Sequence, residues 1–251
     1  MKISTKLGLL VSVLLTLVSC KPAERSTASY YENDSFEMDD VVILEYFNDG
    51  LMFSPYLTWN QITYFCSQSD ETNIGYRGGF KLSSREGSEL DDDEQATFTS
   101  AGEGSGVNGS NCYMAYLKTP YMPEYDIKIN LANFYSSNVS PVGCYIVNSL
   151  YNSRLKEQGL IEKGDLLKVI VEFYSGGQMV GSLGKYIVDY SGPELKMADT
   201  WTEWNMSEQA KDEGITIPSY DAVKFKVEIT GEHLKPCFCI DTFVTFLKVV
   251  Y

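Results

Sequence analysis

The sequence predicts an all-β chain, a two-sheet antiparallel sandwich of the jelly-roll kind, and three observations carry that expectation. In 166–174, Leu167, Val169, Val171 and Phe173 alternate with Lys168 and Glu172, so one face of a strand is apolar and the other wet. The same period of two returns in 223–229, with Val223, Phe225, Val227 and Ile229 facing in and Lys224, Lys226 and Glu228 facing out. Third, no amphipathic helix separates strands at the spacing a parallel sheet needs. A strand with one apolar face is not stable alone, so its neighbours must supply further strands and a second layer.

Taken in order, the chain begins with a targeting segment. Lys2 and Lys6 precede the apolar run 9–18, which is too short to argue for a spanning helix. Residues 1–19 therefore read as a lipoprotein signal peptide. Leu17-Val18-Ser19-Cys20 resembles a bacterial lipobox, which implies cleavage before Cys20 and diacylation of its sulfur. Residues 20–40 are polar and read as a lipid-anchored flexible tether. Residues 41–251 are expected to form a single β-sandwich domain, whose first strand is 41–47. A loop and strand follow over 53–65, with Trp59 and Tyr64, and another over 74–80, where Gly78-Gly79 permit a bend or a close backbone approach. The stretch 83–109 is the longest irregular region and carries Asp91-Asp92-Asp93-Glu94 and the glycines Gly102, Gly104, Gly106 and Gly109. Strands are expected at 112–117, 127–131, 142–149, 166–174, 184–189, 201–206, 223–229 and 238–246. A short helix is expected at 153–159 and a helical turn at 207–213.

Charge excludes some partners. Without Lys2 and Lys6, 18 basic residues face 34 acidic ones, a formal net charge of −16. A field of that sign repels nucleic acid and anionic headgroups, so the membrane is expected to be met only through the N-terminal lipid. With Cys20 committed to lipid, Cys66, Cys112, Cys144, Cys237 and Cys239 are left, an odd number on an oxidising export route. They read as small apolar side chains with one or two disulfides of unassigned connectivity. No CxxC pair or zinc-site spacing occurs.

Four pieces of the chain, in order, resemble the DUF4465 family of exported proteins from Bacteroidetes-type bacteria. They are Trp59-Asn60; the glycine-rich passage ending Gly109-Ser110-Asn111-Cys112-Tyr113-Met114-Ala115-Tyr116; the run from Gly143 to Tyr151 with Val147-Asn148-Ser149; and Trp204-Asn205-Met206-Ser207 followed later by Cys239-Ile240-Asp241. A related carbohydrate-metabolism jelly-roll family of the same bacteria is similar too. The resemblance spans roughly residue 41 to the C-terminus and implies a galactose-binding-like jelly roll without implying a biochemical role. The sequence departs from the family pattern by carrying Asp241-Thr242 where paired acids are usual, and by its additional cysteines.

By analogy with carbohydrate-binding jelly rolls, a carboxylate in the first strand and another in the last would hold a structural Ca2+. Glu45 and Asp241 are the candidates, with Asp49 close to the first. Asp241 lies among apolar strand residues and needs some partner, whether a metal, backbone amides or a basic side chain. Sugar recognition needs aromatic faces beside polar groups, and Trp201, Trp59 and Tyr76 each lie near a turn or short strand. Trp204 is expected in the core. Catalysis finds little: the sole histidine, His233, sits in a turn, and no nucleophile elbow, P-loop or dinucleotide loop occurs. Only an acid pair of the glycosidase kind remains open. The expectation is a non-catalytic lipoprotein of the bacterial outer membrane that binds a polysaccharide or other glycan. The alternative is a structural or protein-interaction module that docks an envelope protein.

Overall fold

The computed structural model describes residues 27–36, 51–52, 56–58, 62–69, 75–85, 93–104, 106–107, 110–132, 134 and 136–250. Among the described residues fourteen strands form one sheet, and every pairing between them is antiparallel. In chain order they are β1 (Thr27–Asp34), β2 (Leu51–Met52), β3 (Tyr56–Leu57), β4 (Thr63–Ser69), β5 (Tyr76–Ser83), β6 (Tyr113–Leu117) and β7 (Ile127–Ile129). They continue with β8 (Ser136–Asn148), β9 (Leu166–Ser175), β10 (Gln178–Asp189), β11 (Lys196–Met197), β12 (Thr202–Asn205), β13 (Ala222–Thr230) and β14 (Cys237–Val250). Among the described residues three short helices are inserted: α1 (Asp93–Thr97), α2 (Leu150–Glu157) and α3 (Met206–Asp212). None of the described helices is long and apolar enough to cross a membrane.

The all-β, antiparallel expectation holds, but the two layers are walls of one curled sheet in the order β11-β10-β9-β13-β7-β4-β5-β6-β14-β8-β12. Strand β4 is the bend. Thr63, Tyr64 and Phe65 pair with β7, whereas Ser67, Gln68 and Ser69 pair with β5. At the change of partner, the Cys66 amide donates to the Asp126 carbonyl at 2.8 Å. A strand that changes sheets through a bend keeps its backbone groups paired where two separate sheets would each expose an edge. The far ends of the sheet also meet. The Asn148 amide donates to the Ala198 carbonyl at 2.8 Å, and the Ala198 amide donates to the Ile187 carbonyl at 2.9 Å. The buried Asn148 side chain donates to the same Ile187 carbonyl at 2.7 Å.

Aromatic rings fill the inner side. Phe65 meets Phe36, Phe80 and Phe243 at 4.9, 5.7 and 6.0 Å, and Phe225 of β13 lies 5.6 Å from both Phe80 and Phe238. These edge-on and tilted ring contacts join the two walls. The alternation in β9 and β13 is realised: Leu167, Val169, Val171, Phe173, Val223, Phe225 and Val227 are all buried. Between β9 and β10, Gly176 (φ 55°) and Gly177 (φ 81°) form the two-residue turn of a hairpin in which Ser175 opposes Gln178. Two successive positive φ values match the right-handed twist of the strands and favour glycine.

Four expectations are corrected. Within the expected tether, Thr27–Asp34 is strand β1, paired along the last strand from Val250 to Phe243. Its stability comes from ladder hydrogen bonds and the buried Phe36 just after it, not from an apolar pattern. Glu172 is buried instead of wet, because Lys226 Nζ lies 2.6 Å from Oε1 and the Tyr174 hydroxyl donates to Oε2 at 2.8 Å. Cys66, Cys112, Cys144, Cys237 and Cys239 are all buried thiols outside any disulfide, so the expected disulfides do not form among them. The region 83–109 is not loop throughout: Asp93 and Glu94 open α1, where acids favour the helix N-terminus. The strand expected at 41–47 lies outside the described residues.

Asp126 is fully buried at the bend. Its Oδ2 accepts from the Phe225 amide at 2.7 Å and the Tyr116 hydroxyl at 3.4 Å, while Oδ1 has no hydrogen-bond partner. Burial pushes its carboxyl from 3.8 up to about 7; the Phe225 amide, Lys224 and Tyr116 pull it the other way. Between pH 4 and 7 the folded state therefore holds a proton that the unfolded chain has released, so stability from this group falls as pH rises through that window. Asp126→Asn keeps an uncharged group there and is expected to be near neutral at pH 4 and stabilising by a few kcal/mol, in order of magnitude, at pH 8. Urea titrations at the two pH values test this; an equal effect at both would contradict it.

Candidate functional site

The sheet is covered on its outer side too, where Phe98, Tyr113, Ala115, Val147 and Cys239 form a second, small cluster with Tyr76, Ala101, Leu117 and Trp201 packed against it. A cleft of about 600 Å³ opens beside this cluster, lined by Tyr76, Arg77, Asp93, Glu94, Thr97, Phe98, Leu117 and Lys235. A local irregularity of β5 builds it. Ser69 opposes Tyr76 and Gln68 opposes Gly78, which leaves Arg77 as the extra residue of a β-bulge, and Gly79 adopts φ 94°. In a straight strand, residues five apart face opposite sides. Here the irregularity puts Tyr76 and Lys81 on one side, with the Lys81 ammonium 4.2 Å from the centre of the Tyr76 ring and 4.1 Å from that of Phe98. Bulges re-aim side chains in this way at many functional sites.

The floor and rim are then fixed by hydrogen bonds. Tyr76 donates to the Gly79 carbonyl at 2.7 Å, and its ring meets Phe98 edge-on at 5.4 Å. Burial pulls the Lys81 ammonium down to about 8, with Glu94 acting to raise it and Arg85 to lower it. The buried Tyr113 hydroxyl receives the Ser100 amide at 2.9 Å and donates to the Arg85 carbonyl at 2.9 Å, so it ties the segment carrying α1 and Phe98 to the sheet. Lys235 enters from the approach to β14. Asn152 of α2 holds its backbone from both sides, accepting from the Lys235 amide and donating to the Lys235 carbonyl, each at 3.0 Å.

Of the sequence-derived binding residues, Tyr76 lines this cleft, and Trp201 packs on the same outer cluster, 5.7 Å from Tyr113 and against Gly102. Trp59 lies outside the described residues, as do Glu45, Asp49 and Cys20. Trp204 is buried, its indole N–H donating to Gln209 Oε1 at 2.7 Å. His233 is exposed in the turn before β14. Sequence reasoning missed Arg77, Lys81, Asp93, Glu94, Phe98 and Lys235 as neighbours; the Gly78-Gly79 pair was the one local signal. Among the described residues the surface has further depressions. One of about 520 Å³ combines Tyr186 with Glu208, Asp212 and Glu213; an apolar one of about 480 Å³ is lined by Pro120, Val227, Ile229 and Pro236.

Asp241 is fully buried where β14 exchanges β6 for β1 as its neighbour, next to Thr242 at φ 52°. Backbone amides take up its charge: Val107 donates to Oδ2 at 2.7 Å and Thr242 to Oδ1 at 2.6 Å. A side chain on Gly106 would press to 2.8 Å from Oδ2, so the glycine is what lets the loop reach the carboxylate. Among the described residues no three His, Cys, Asp or Glu side chains gather as a metal site.

No family model matches the sequence, and no curated protein does. Among solved structures, the chain is similar to a crystal structure of a DUF4465 family protein from Bacteroides caccae, with a TM-score of 0.57 and 15% identity. The match covers 85% of this chain and 98% of that one. At such identity the likeness establishes a shared fold, and the two proteins are distant structural relatives.

Asp241→Asn replaces one acceptor with a donor that faces an amide. The expected loss is about 1–3 kcal/mol of stability, the usual cost of orphaning a buried polar group. With amides as its partners, that loss is the same in millimolar calcium and in chelator. A wild-type melting point that falls with chelator, together with a mutant indifferent to it, would assign the carboxylate to a metal instead.

Proposed function

We propose that this chain is a non-catalytic envelope lipoprotein of the DUF4465 type that binds a glycan in the Tyr76–Phe98 cleft. The observation that carries the reading is the composition of that cleft: an aromatic floor beside side chains of both charge signs, within a volume suited to a small polar ligand. Sugars present apolar C–H faces for rings to pack against and hydroxyls that both donate and accept. Arg77 and Lys235 offer donors, Asp93 and Glu94 acceptors, and Thr97 a hydroxyl. The acids belong to a five-residue helix fastened through Tyr113, so the rim is held in place before a ligand arrives. Binding is preferred to turnover because the two carboxylates described in the cleft, Asp93 and Glu94, are consecutive residues of one short helix and do not flank the space from opposite sides as a glycosidase pair does.

A second reading, a protein-docking module, is favoured by the apolar depression between Pro120 and Pro236. A glycan array decides between them. Expected are hits that Tyr76→Ala weakens at least tenfold, an effect of the order of 1.4 kcal/mol or more. A clean negative across host and bacterial polysaccharides would discard the glycan reading. Lipid anchoring at Cys20 is tested separately: Cys20→Ser is expected to release the protein from the membrane fraction, and unchanged fractionation would refute the anchor.

A further inference from the structure

Resting on the glycan reading of the Tyr76 cleft, we infer that its ligand is an acidic sugar, a uronate whose carboxylate is received by Arg77 and Lys235. The chain carries a formal charge of −14, yet two cations line this one cleft. Among the described residues the ion pairs are Lys128–Glu124, Lys156–Asp199 and Lys226–Glu172, so neither Arg77 nor Lys235 is neutralised by a carboxylate. Each is nevertheless positioned. Arg77 is the bulge residue of β5; its carbonyl accepts from the Thr119 hydroxyl at 2.6 Å, and its guanidinium lies 4.9 Å from the centre of the Tyr121 ring. Lys235 has the two-sided Asn152 clamp on its backbone, and its ammonium sits 3.7 Å from the centre of the Tyr151 ring and 3.4 Å from Thr97 Oγ1. Ring contacts hold a cation in place without cancelling its charge, which leaves it available to an anion.

The same rim limits how much negative charge is welcome. Asp93 and Glu94 line the cleft as well. They would repel a dense polyanion such as a heavily sulfated or phosphorylated chain, while accepting hydrogen bonds from sugar hydroxyls. One carboxylate per residue, planar and matched to the guanidinium fork, fits both halves of the rim. Tyr76 and Phe98 would then meet the apolar face of the same sugar ring.

The test uses the purified full chain with polygalacturonate, alginate, carboxyl-reduced polygalacturonate and dextran, read by calorimetry or affinity electrophoresis. Binding to a uronate polymer is expected, at least tenfold tighter than to the reduced polymer, and weakening as salt rises from 50 to 500 mM, a range over which screening sharpens. Arg77→Gln at an exposed position and Lys235→Gln at a half-buried one, each checked by unchanged melting, are expected to weaken it about tenfold. Equal binding of native and reduced polymers would overturn the acidic-sugar inference and leave the glycan reading standing, as would Tyr76→Ala losing binding that the two glutamine variants retain. Binding to neither uronate polymer overturns the inference, and with a blank neutral panel and array it removes the glycan reading as well.

Discussion

Strands buried on both faces cannot leave backbone groups unpaired, and most of this structure follows from how its strands meet that constraint while the sheet curls. Burying an unpaired amide or carbonyl costs roughly 1–3 kcal/mol, and a curled sheet must change neighbours along its longest strands. Strand β14 shows how it is done. Its first part pairs with β6 and its last with β1, while β8 runs along the opposite edge. At the exchange the register slips, Thr242 takes a positive φ, and the Asp241 carboxylate accepts the amides of Thr242 and Val107. A buried charge that would be a liability in a regular strand becomes the acceptor that an irregular one needs.

The two ends of the sheet obey the same rule. No ladder joins β8 to β10; a single buried asparagine and the stretch around Ala198 carry the hydrogen bonds across. Asn148 also accepts the Ala101 amide through its carbonyl, which connects the sheet closure to the segment that roofs the outer cluster. Ser149 then caps α2, and Asn152 of that helix holds Lys235. A run of five residues thus links sheet closure to the position of a cleft cation. None of the side chains of Val147-Asn148-Ser149 itself lines the cleft.

What could be read in advance depended on whether burial leaves a pattern. Strands β9 and β13 have one core face and one polar face, so Val169, Val171, Phe225 and Val227 announced themselves. Strand β1 did not, because its sequence is polar and its pairing with β14 uses main-chain groups that every residue carries. The two-residue strands β2, β3 and β11 are too short to show any period. The single continuous sheet was hidden for a related reason: the bend in β4 rests on a main-chain bond between Cys66 and Asp126, which no side-chain pattern encodes. At the site, Tyr76 was visible as an aromatic near a turn and Gly78-Gly79 as a place for a bend, but Lys235 arrives from 158 positions further along than Arg77. Only the folded sheet brings those two together.

The position of the cleft follows from the packing. The inner side is closed by edge-on and tilted ring contacts among Phe65, Phe80, Phe225 and Phe238, and rings so placed leave no room for a polar ligand without dismantling the core that joins the walls. A site must therefore be built on the outer side, where a regular strand would offer only a flat surface. The bulge at Arg77 breaks that flatness, and α1 with Phe98 supplies a raised wall beside it. Irregular backbone and a small roof of inserted residues are enough to turn a sheet face into a concave, mixed-charge surface while the core behind it stays unchanged. Fold likeness to a distant relative carries no information about what either protein binds.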